Sequence, residues 1–241
     1  MRLAKFMARA GIVSRRRAEL MIREGRVRIN GCPVDQPQTD VCENDSVMVD
    51  GKMIEGIENK QYVLLNKPAG YISTAYDTHN RPTVINLISG VEARIYPVGR
   101  LDADTSGVLM LTNDGELAYR LTHPRYRVKK VYHAWVNGLP NDQILKQMSC
   151  GIIIDAGKTA PASVRLLKAL AINNTALLEI TLVEGKKRQV KKMCAAGGHP
   201  VRKLERKSFA GLTATDLPEG LYRHLKQHEI DALYRMVELK V

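Results

Sequence analysis

The segment with the clearest capacity for chemistry is Val98–Gly107, VGRLDADTSG, which holds two carboxylates and an arginine. Arg100, Asp102 and Asp104 alternate along it, and Gly99 lies near its start. A loop bounded by glycines can bring its backbone close to a ligand while it presents side chains at fixed angles. The pattern therefore fits a ligand-binding loop. It fits equally an acidic turn in which both aspartates cap local backbone amides.

The spacing of cysteines and histidines does not indicate a metal site. The four cysteines are far apart and form no C-x-x-C pair, so we expect reduced thiols that pack as small hydrophobic side chains. His224 and His228 could share one helix face, but no second pair of ligands accompanies them. We predict no bound metal.

Net charge is the strongest compositional signal, because the chain carries a formal charge of +12. Residues 1–30 hold nine Lys and Arg against two Glu, residues 185–207 hold nine against one Glu, and residues 31–60 are acidic. Either basic cluster alone could be a solvated helix face. Two separated clusters predict two contact surfaces for a polyanion, and phosphate binding there would depend strongly on salt.

The length of 241 residues and an apolar content of 44% predict one large and one small folded domain. No stretch approaches the ~20 apolar residues of a membrane-spanning helix. Arg2, Lys5 and Arg9 interrupt the N-terminal segment, so we do not expect a secretory signal. These features predict a soluble, cytoplasmic protein with no membrane partner, and a monomer is our default.

The N-terminal segment predicts two short helices and a β-hairpin. Apolar residues follow helical spacing over Leu3–Ala10, and Ser14 can cap a second helix that ends at Gly25. Asn30-Gly31 is a strong signal for a two-residue hairpin turn. The run SRRRAELMIREGRVRINGCPVD resembles the S4 RNA-binding domain. That resemblance implies that six arginines face RNA phosphates: Arg15, Arg16, Arg17, Arg23, Arg26 and Arg28.

Strand-like runs dominate the rest of the chain, namely YVLLN, VLMLT, VYHAWV, SVRLLK and ALLEITLV. We predict two helices there, one after the Asn113-Asp114-Gly115 turn and one over Gln189–Ala196. Because strands do not alternate regularly with helices, the prediction is an α+β fold with a mixed, mainly antiparallel sheet. The predicted division is a small S4-like helix-hairpin module at 1–52, a linker at 53–60 and a larger domain at 61–241.

Four stretches of the larger domain resemble, in order, the motifs of RsuA/RluB-type pseudouridine synthases. LLNKPAGYIST is similar to their opening strand and loop, and GRLDADTSGVLMLTNDGELAYRLTHPRY to their active-site region. KKVYHAWVNG is similar to the tyrosine-bearing motif, and EGKKRQVKKMCAAGGHPVRKLERKSFAGL to the basic helix and strand that close the site. The resemblance implies the pseudouridine synthase fold and an enzyme that isomerises uridine in ribosomal RNA.

The resemblance also implies roles for individual residues. Asp102 would be the catalytic carboxylate, and Arg100 would help displace the target nucleotide and hold its surroundings. Tyr132 would pack against the flipped uracil and assist proton removal from C5, although an ordinary half-buried strand tyrosine is the alternative. Lys191 would pair with the catalytic aspartate, and Leu204 would lie beneath the base. Many relatives carry arginine in this basic segment, and lysine keeps the charge but loses the bidentate geometry. The other RNA contacts expected there are Lys187 and Arg188.

The implied chemistry breaks the N1–C1′ bond of uridine, turns the uracil and rejoins it through C5. There is no net redox change or hydrolysis, so no cofactor is expected. An ionised carboxylate near C1′ and C6 can act as a nucleophile or a proton acceptor. The sequence leaves open whether it attacks C1′, attacks C6 or acts through a glycal. The base must first leave the RNA stack, and a fitted pocket offsets that cost.

The expected partner is ribosomal RNA, free or within pre-ribosomal particles. The SRRRAE helix and the stretches RIYPVGRLDADTSG and GKTAPASV look closer to the branch that acts on large-subunit RNA than to the small-subunit branch. A non-catalytic S4-type RNA-binding or ribosome-assembly factor is one alternative, and it would not need Asp102. A metal-dependent phosphatase or phosphotransferase that uses Asp102-Ala-Asp104 as its D-x-D element is another. The fully apolar strand that normally precedes that element is missing, and activity abolished by EDTA and restored by Mg²⁺ would favour it.

Overall fold

The computed structural model describes residues 1–240, which form two compact units. The first comprises residues 1–61 together with two short segments, 90–95 and 113–115. The second comprises residues 62–89, 96–112 and those from 116 onward. The predicted α+β class, with a small N-terminal module and a larger mixed sheet, is confirmed. Within the described range, no helix is long and apolar enough to cross a bilayer.

The first unit combines two helices with a four-stranded antiparallel sheet. Its elements are α1 (Leu3–Arg9), α2 (Arg15–Arg23), β1 (Val27–Ile29), β2 (Cys32–Val34), β3 (Val47–Val49) and β4 (Lys52–Met53), in the sheet order β2-β1-β3-β4. Ser14 caps α2 by accepting a hydrogen bond from the Arg17 N–H at 3.3 Å. Asn30 and Gly31 both have positive φ (51° and 80°), as the predicted hairpin turn requires. Strand β4 extends into the segment predicted as a linker.

The second unit is built on a nine-stranded sheet. Its strands are β5 (Tyr62–Lys67), β6 (Tyr96–Pro97), β7 (Thr105–Thr112), β8 (Lys130–Asn137), β11 (Ser163–Leu170), β12 (Thr175–Leu182), β13 (Val201–Phe209), β14 (Leu212–Thr213) and β15 (Tyr222–His224); a separate hairpin holds β9 (Ile153–Ile154) and β10 (Gly157–Lys158). The main path is β11-β12-β8-β13-β7-β5-β15, with β14 on β13 and β6 on β7. Strands β7 and β13 run parallel, and the other described pairs run antiparallel.

Among the described residues, four α-helices accompany this sheet: α3 (Gly115–Thr122), α4 (Asp142–Cys150), α5 (Gln189–Ala196) and α6 (Gln227–Met236). Helices α3 and α5 confirm the two predicted ones, and α4 and α6 were not predicted. Residues of α3 and α6 belong to one buried apolar cluster, with β5 and β7, and residues of α4 and α5 belong to another, with β8 and β12. His224 ends β15 whereas His228 lies in α6, so these histidines do not share a helix face.

The cysteines differ in part from the prediction. Among them, only Cys194 is buried, and burial raises the pKa of its thiol to about 12. Cys32, Cys42 and Cys150 are exposed free thiols, because they lie in a short edge strand, a turn and a helix end rather than in the apolar clusters. The expectation that all four pack as small hydrophobic side chains is therefore wrong for three of them.

The strand pair β8–β13 sets the geometry of the site. Tyr132 lies directly opposite Arg206, and Ala134 lies opposite Leu204. Side chains that are opposite on antiparallel strands share one face of the sheet, so Tyr132, Leu204 and Arg206 project to the same side. On the other edge of β13, Gly107 of β7 faces Arg206. A methyl group on Gly107 would lie 2.2 Å from the Arg206 carbonyl oxygen, and φ there is +106°, so glycine is required.

Candidate active site

A cavity of about 490 Å³ lies in the second unit, lined by the Val98–Asp102 loop and by side chains of β8 and β13. This volume suits a nucleotide-sized ligand. The predicted site residues that line it are Arg100, Asp102, Tyr132, Lys187, Arg188 and Leu204. The structure thus brings together residues that are more than a hundred positions apart in the sequence.

Asp102 is half-buried at this cavity, and its carboxylate has no hydrogen bond or ion pair with any described residue. The turn is closed instead by the main chain, where Thr105 N–H donates to the Asp102 carbonyl oxygen at 3.0 Å. The acidic-turn interpretation requires the Asp102 side chain to cap local amides, and it does not. A carboxylate is therefore left available to a ligand.

The loop that carries Asp102 is held in place by Lys67, a fully buried residue at the end of β5. Its ammonium group donates to four main-chain carbonyl oxygens at 2.8–3.3 Å, those of Pro68, Asp102, Ala103 and Thr105. Burial lowers the pKa of Lys67 to about 8, while the charges of Asp104 and Asp102 oppose that shift. Lys67 thus fixes the loop and places a positive charge beside the candidate nucleophile. Lys67 was not predicted as a site residue, although a lysine that directly follows the apolar run YVLLN was a signal.

Lys191 does not pair with Asp102, so that expectation is wrong. Its ammonium group donates to Asp104, which lies two positions further along the loop. The Asp104 side chain is 63% exposed. Lys191, on α5, contacts one oxygen of its carboxylate, and Arg188 Nη2 lies 4.0 Å from the other oxygen. The hydrogen bond from Lys191 lowers the pKa of Asp104. This ion pair ties α5 to the loop and leaves Asp102 unpaired.

Tyr132 and Leu204 give the cavity a flat aromatic ring and an apolar side chain from adjacent strands. Tyr132 is half-buried and Leu204 is 5% exposed. An aromatic ring in such a place can stack on a nucleic-acid base. Arg100, by contrast, is exposed where it lines the cavity, which suits contact with the RNA around a target nucleotide.

Three further cations line the cavity and were not predicted as site residues, namely Lys130 of β8, Lys186 and Arg206 of β13. Arg206 is only 2% exposed, and its Nε donates to the Val108 carbonyl oxygen at 2.8 Å. Burial lowers the pKa of Lys130, and the charge of Arg206 lowers it further, whereas Glu184 opposes the shift. The cavity therefore presents more buried positive charge than the sequence indicated.

The six predicted RNA-binding arginines of the first unit fall into two groups. Arg15, Arg16, Arg17, Arg23 and Arg28 are exposed. Arg26 differs, because its Nε and Nη2 donate to both oxygens of Asp50 at 2.7 and 2.6 Å, and its Nη1 donates to Glu24 at 3.2 Å. The guanidinium group of Arg26 is therefore already hydrogen-bonded within the unit, which argues against its predicted role as a phosphate contact. The role of the five exposed arginines stays a prediction.

Comparison with known proteins gives family matches along the chain. The S4 domain family matches residues 1–54, and the RNA pseudouridylate synthase family matches residues 61–196. The chain is 43% identical to the Ribosomal large subunit pseudouridine synthase B of Bacillus subtilis (strain 168), over 98% of this chain and 97% of the relative. It is 42% identical to an uncharacterized RNA pseudouridine synthase of Aquifex aeolicus (strain VF5), over 99% and 96% of the two chains. A pseudouridylate synthase crystal structure matches with a TM-score of 0.69 at 30% identity, covering 97% of this chain and 99% of that one.

Proposed function

The chain belongs to the RNA pseudouridylate synthase family, and from this premise we propose that it converts a uridine of large-subunit ribosomal RNA to pseudouridine with Asp102 as the nucleophile. One observation carries the proposal. The unpaired carboxylate of Asp102 lines a cavity that also presents the ring of Tyr132 and the side chain of Leu204. A nucleophile and a base-sized surface thus meet in one place.

The reaction needs only what this cavity offers. An Asp102 oxygen attacks C1′ as the N1–C1′ bond breaks, and the electron pair of that bond stays on the uracil. The uracil then turns, C5 bonds to C1′, and the bond between C1′ and the Asp102 oxygen breaks to regenerate the carboxylate. C5 loses its proton to water with the assistance of Tyr132, and N1 gains a proton from water, so the product is an isomer of the substrate. Attack at C6 and passage through a glycal are alternatives that use the same carboxylate.

The other residues of the cavity hold the flipped nucleotide in this scheme. Stacking of uracil on Tyr132 would contribute ~1–3 kcal/mol, with Leu204 beneath the base. Exposed Arg100 would displace the nucleotide from its stack and hold the strand. Lys191 acts through its pair with Asp104, which fixes the far end of the loop, rather than by touching the nucleophile.

The two basic clusters serve to hold the RNA. We assign residues 1–52 to an S4-type RNA-binding module, with the exposed arginines of α2 on the phosphates, and residues 61–241 to catalysis. Lys187 and Arg188 form the second contact, beside the cavity. Phosphate contacts position an RNA without reading its sequence, so target choice rests on RNA shape and the flipped base. The Bacillus subtilis relative is named for the large subunit, which supports that choice of RNA.

The test uses unmodified transcripts of large-subunit and small-subunit ribosomal RNA, each incubated with the purified protein and mapped for pseudouridine by carbodiimide modification. We expect pseudouridine in the large-subunit transcript alone. Product only in the small-subunit transcript would move the assignment to that RNA. Binding of both transcripts without product in either would favour a non-catalytic RNA-binding factor.

A further inference from the structure

Lys130 and Arg206 are a pair of cations that line the cavity. Arg206 faces Tyr132 across β8–β13, and Lys130 is two positions before Tyr132 on the same face of β8. Both residues line the cavity, and their charges are close enough to act on one another. Like charges placed together in a buried site are costly unless something of opposite charge meets them.

Neither cation has a carboxylate partner among the described residues. The Lys130 ammonium group donates only to the Val128 carbonyl oxygen, at 3.1 Å. The charge of Glu184 acts on Lys130, but the Glu184 carboxylate accepts hydrogen bonds from Ala160 N–H and Gln189 Nε2 instead. Neither positive charge is therefore paired with a described carboxylate, although the Arg206 guanidinium lies over the Phe209 ring, 4.9 Å from its centroid.

Arg206 carries a second sign of a missing partner. The hydrogen bond from Arg206 Nε to the Val108 carbonyl oxygen joins β13 to β7, so this nitrogen has a structural role. Its Nη2 is fully buried and has no hydrogen-bond partner in the described part of the chain. Buried donors are seldom left unsatisfied, because an unpaired one costs about 1–3 kcal/mol. A ligand oxygen would remove that cost if the guanidinium turned towards the cavity that Arg206 lines.

The position of the pair identifies the ligand atoms. Arg206 is 2% exposed and is opposite the tyrosine on which the base would stack, so it lies too deep for the RNA backbone. The phosphates have exposed cations of their own in Arg100, Lys187 and Arg188. In the proposed function, the acceptors that enter the cavity beside Tyr132 are the O2 and O4 carbonyl oxygens of the flipped uracil.

We propose that Lys130 and Arg206 contact the carbonyl oxygens of the flipped uracil and stabilise the negative charge that forms there when the N1–C1′ bond breaks. The inference rests on the proposed function. The electron pair of the broken bond stays on the uracil and spreads to O2 and O4. Fixed cations beside those oxygens bind the uracil anion more tightly than neutral uracil, and this difference lowers the barrier. Both would then be catalytic residues.

The first experiment needs no turnover. The ligand 6-hydroxyuracil is a uracil-like ring that is an anion at neutral pH, with its charge on the ring oxygens. We expect the protein to bind it at least about tenfold tighter than uracil in calorimetric titrations. Arg206→Met and Lys130→Met should each lose most of this preference. Lys168→Met is the matched control, because it removes one exposed charge from the same sheet outside the cavity, and it should keep the preference. Asp102→Asn should keep it too.

The second experiment measures the single-turnover rate at saturating RNA together with the Kd for RNA. Arg206→Met should lower the rate about 10²–10³-fold with the Kd within about threefold, and Arg206→Lys should recover part of the loss. Lys168→Met should leave the rate unchanged. Thermal unfolding of each variant separates these effects from misfolding. The Lys130→Met variant keeps the hydrogen bond from Arg206 Nε to the Val108 carbonyl oxygen, so it tests the cation pair without disturbing that contact.

Several results would overturn the inference. Equal affinity for 6-hydroxyuracil and uracil, or no measurable binding of either, would contradict it even if the protein makes pseudouridine. Loss of RNA affinity in Arg206→Met, with a normal rate at saturation and a smaller salt dependence, would mean that Arg206 contacts a phosphate. A preference for the anion without any pseudouridine formation would uphold the anion site and contradict the proposed function.

Discussion

Replacing Asp102 by Asn should abolish pseudouridine formation while RNA binding persists. The substitution keeps the size of the side chain but removes the charge and the nucleophilic oxygen, so the single-turnover rate should fall by about 10³-fold or more. The carboxylate has no described protein partner, so its loss should not disturb the fold. The measurement is the rate with an RNA that the parent protein converts, together with the Kd for the same RNA.

Asp104→Asn is the matched control, since it removes the other carboxylate of the same loop. Asp104 is mostly exposed, and its pair with Lys191 belongs to a class of interaction that contributes about 0–1 kcal/mol. We expect a decrease in rate of at most about fivefold. An active Asp102→Asn variant would show that Asp102 is not the nucleophile, whether the Asp104→Asn variant tested with it is active or inactive.

Replacing Gly107 by Ala should destabilise the protein by about 4 kcal/mol or more. The added methyl group would meet the Arg206 main chain at 2.2 Å, and φ at this position is one that alanine adopts only with strain. The clash can be relieved only by separating β7 from β13, the parallel pair that aligns Thr105 with Leu204 beside the cavity. Urea unfolding, followed by circular dichroism, measures the change in free energy.

Gly185→Ala is the control for the change from glycine to alanine itself. Gly185 has no positive φ, and nothing lies within 4 Å of the place that a methyl group would take. Its free energy of unfolding should stay within about 0.5 kcal/mol of the parent value. If Gly107→Ala were as stable as this control, the close approach of β7 and β13 would be wrong, and with it the position of Arg206 at the cavity.

The parts of the fold that follow from local signals could be predicted. Ser14, Gly25 and Asn30-Gly31 specify α2 and the hairpin through capping and left-handed backbone, which depend on neighbours in the sequence. Helices α4 and α6 were missed although similar signals were present. The Asn141 side chain accepts a hydrogen bond from Ile144 N–H at the start of α4. Ile230, Leu233 and Tyr234 follow helical spacing in α6, and Leu233 and Tyr234 are buried.

The electrostatics of the site could not be predicted in the same way. Lys67, Lys130 and Arg206 lie on strands that are distant in sequence, and their burial depends on the order in which those strands pair. A sequence shows that lysines are present but not which of them lose contact with water. The partner of Lys191 is another example, because only the placement of α5 decides whether its ammonium group reaches Asp102 or Asp104.

The nucleophile and the target RNA can be tested together by mapping pseudouridines in ribosomal RNA from cells that lack this gene and carry either the parent gene or its Asp102→Asn form. We predict that deletion removes pseudouridine from large-subunit RNA, and that the parent gene restores it while the Asp102→Asn gene does not. An unchanged map after deletion, or restoration by the Asp102→Asn gene, would contradict an account in which this carboxylate performs the isomerisation.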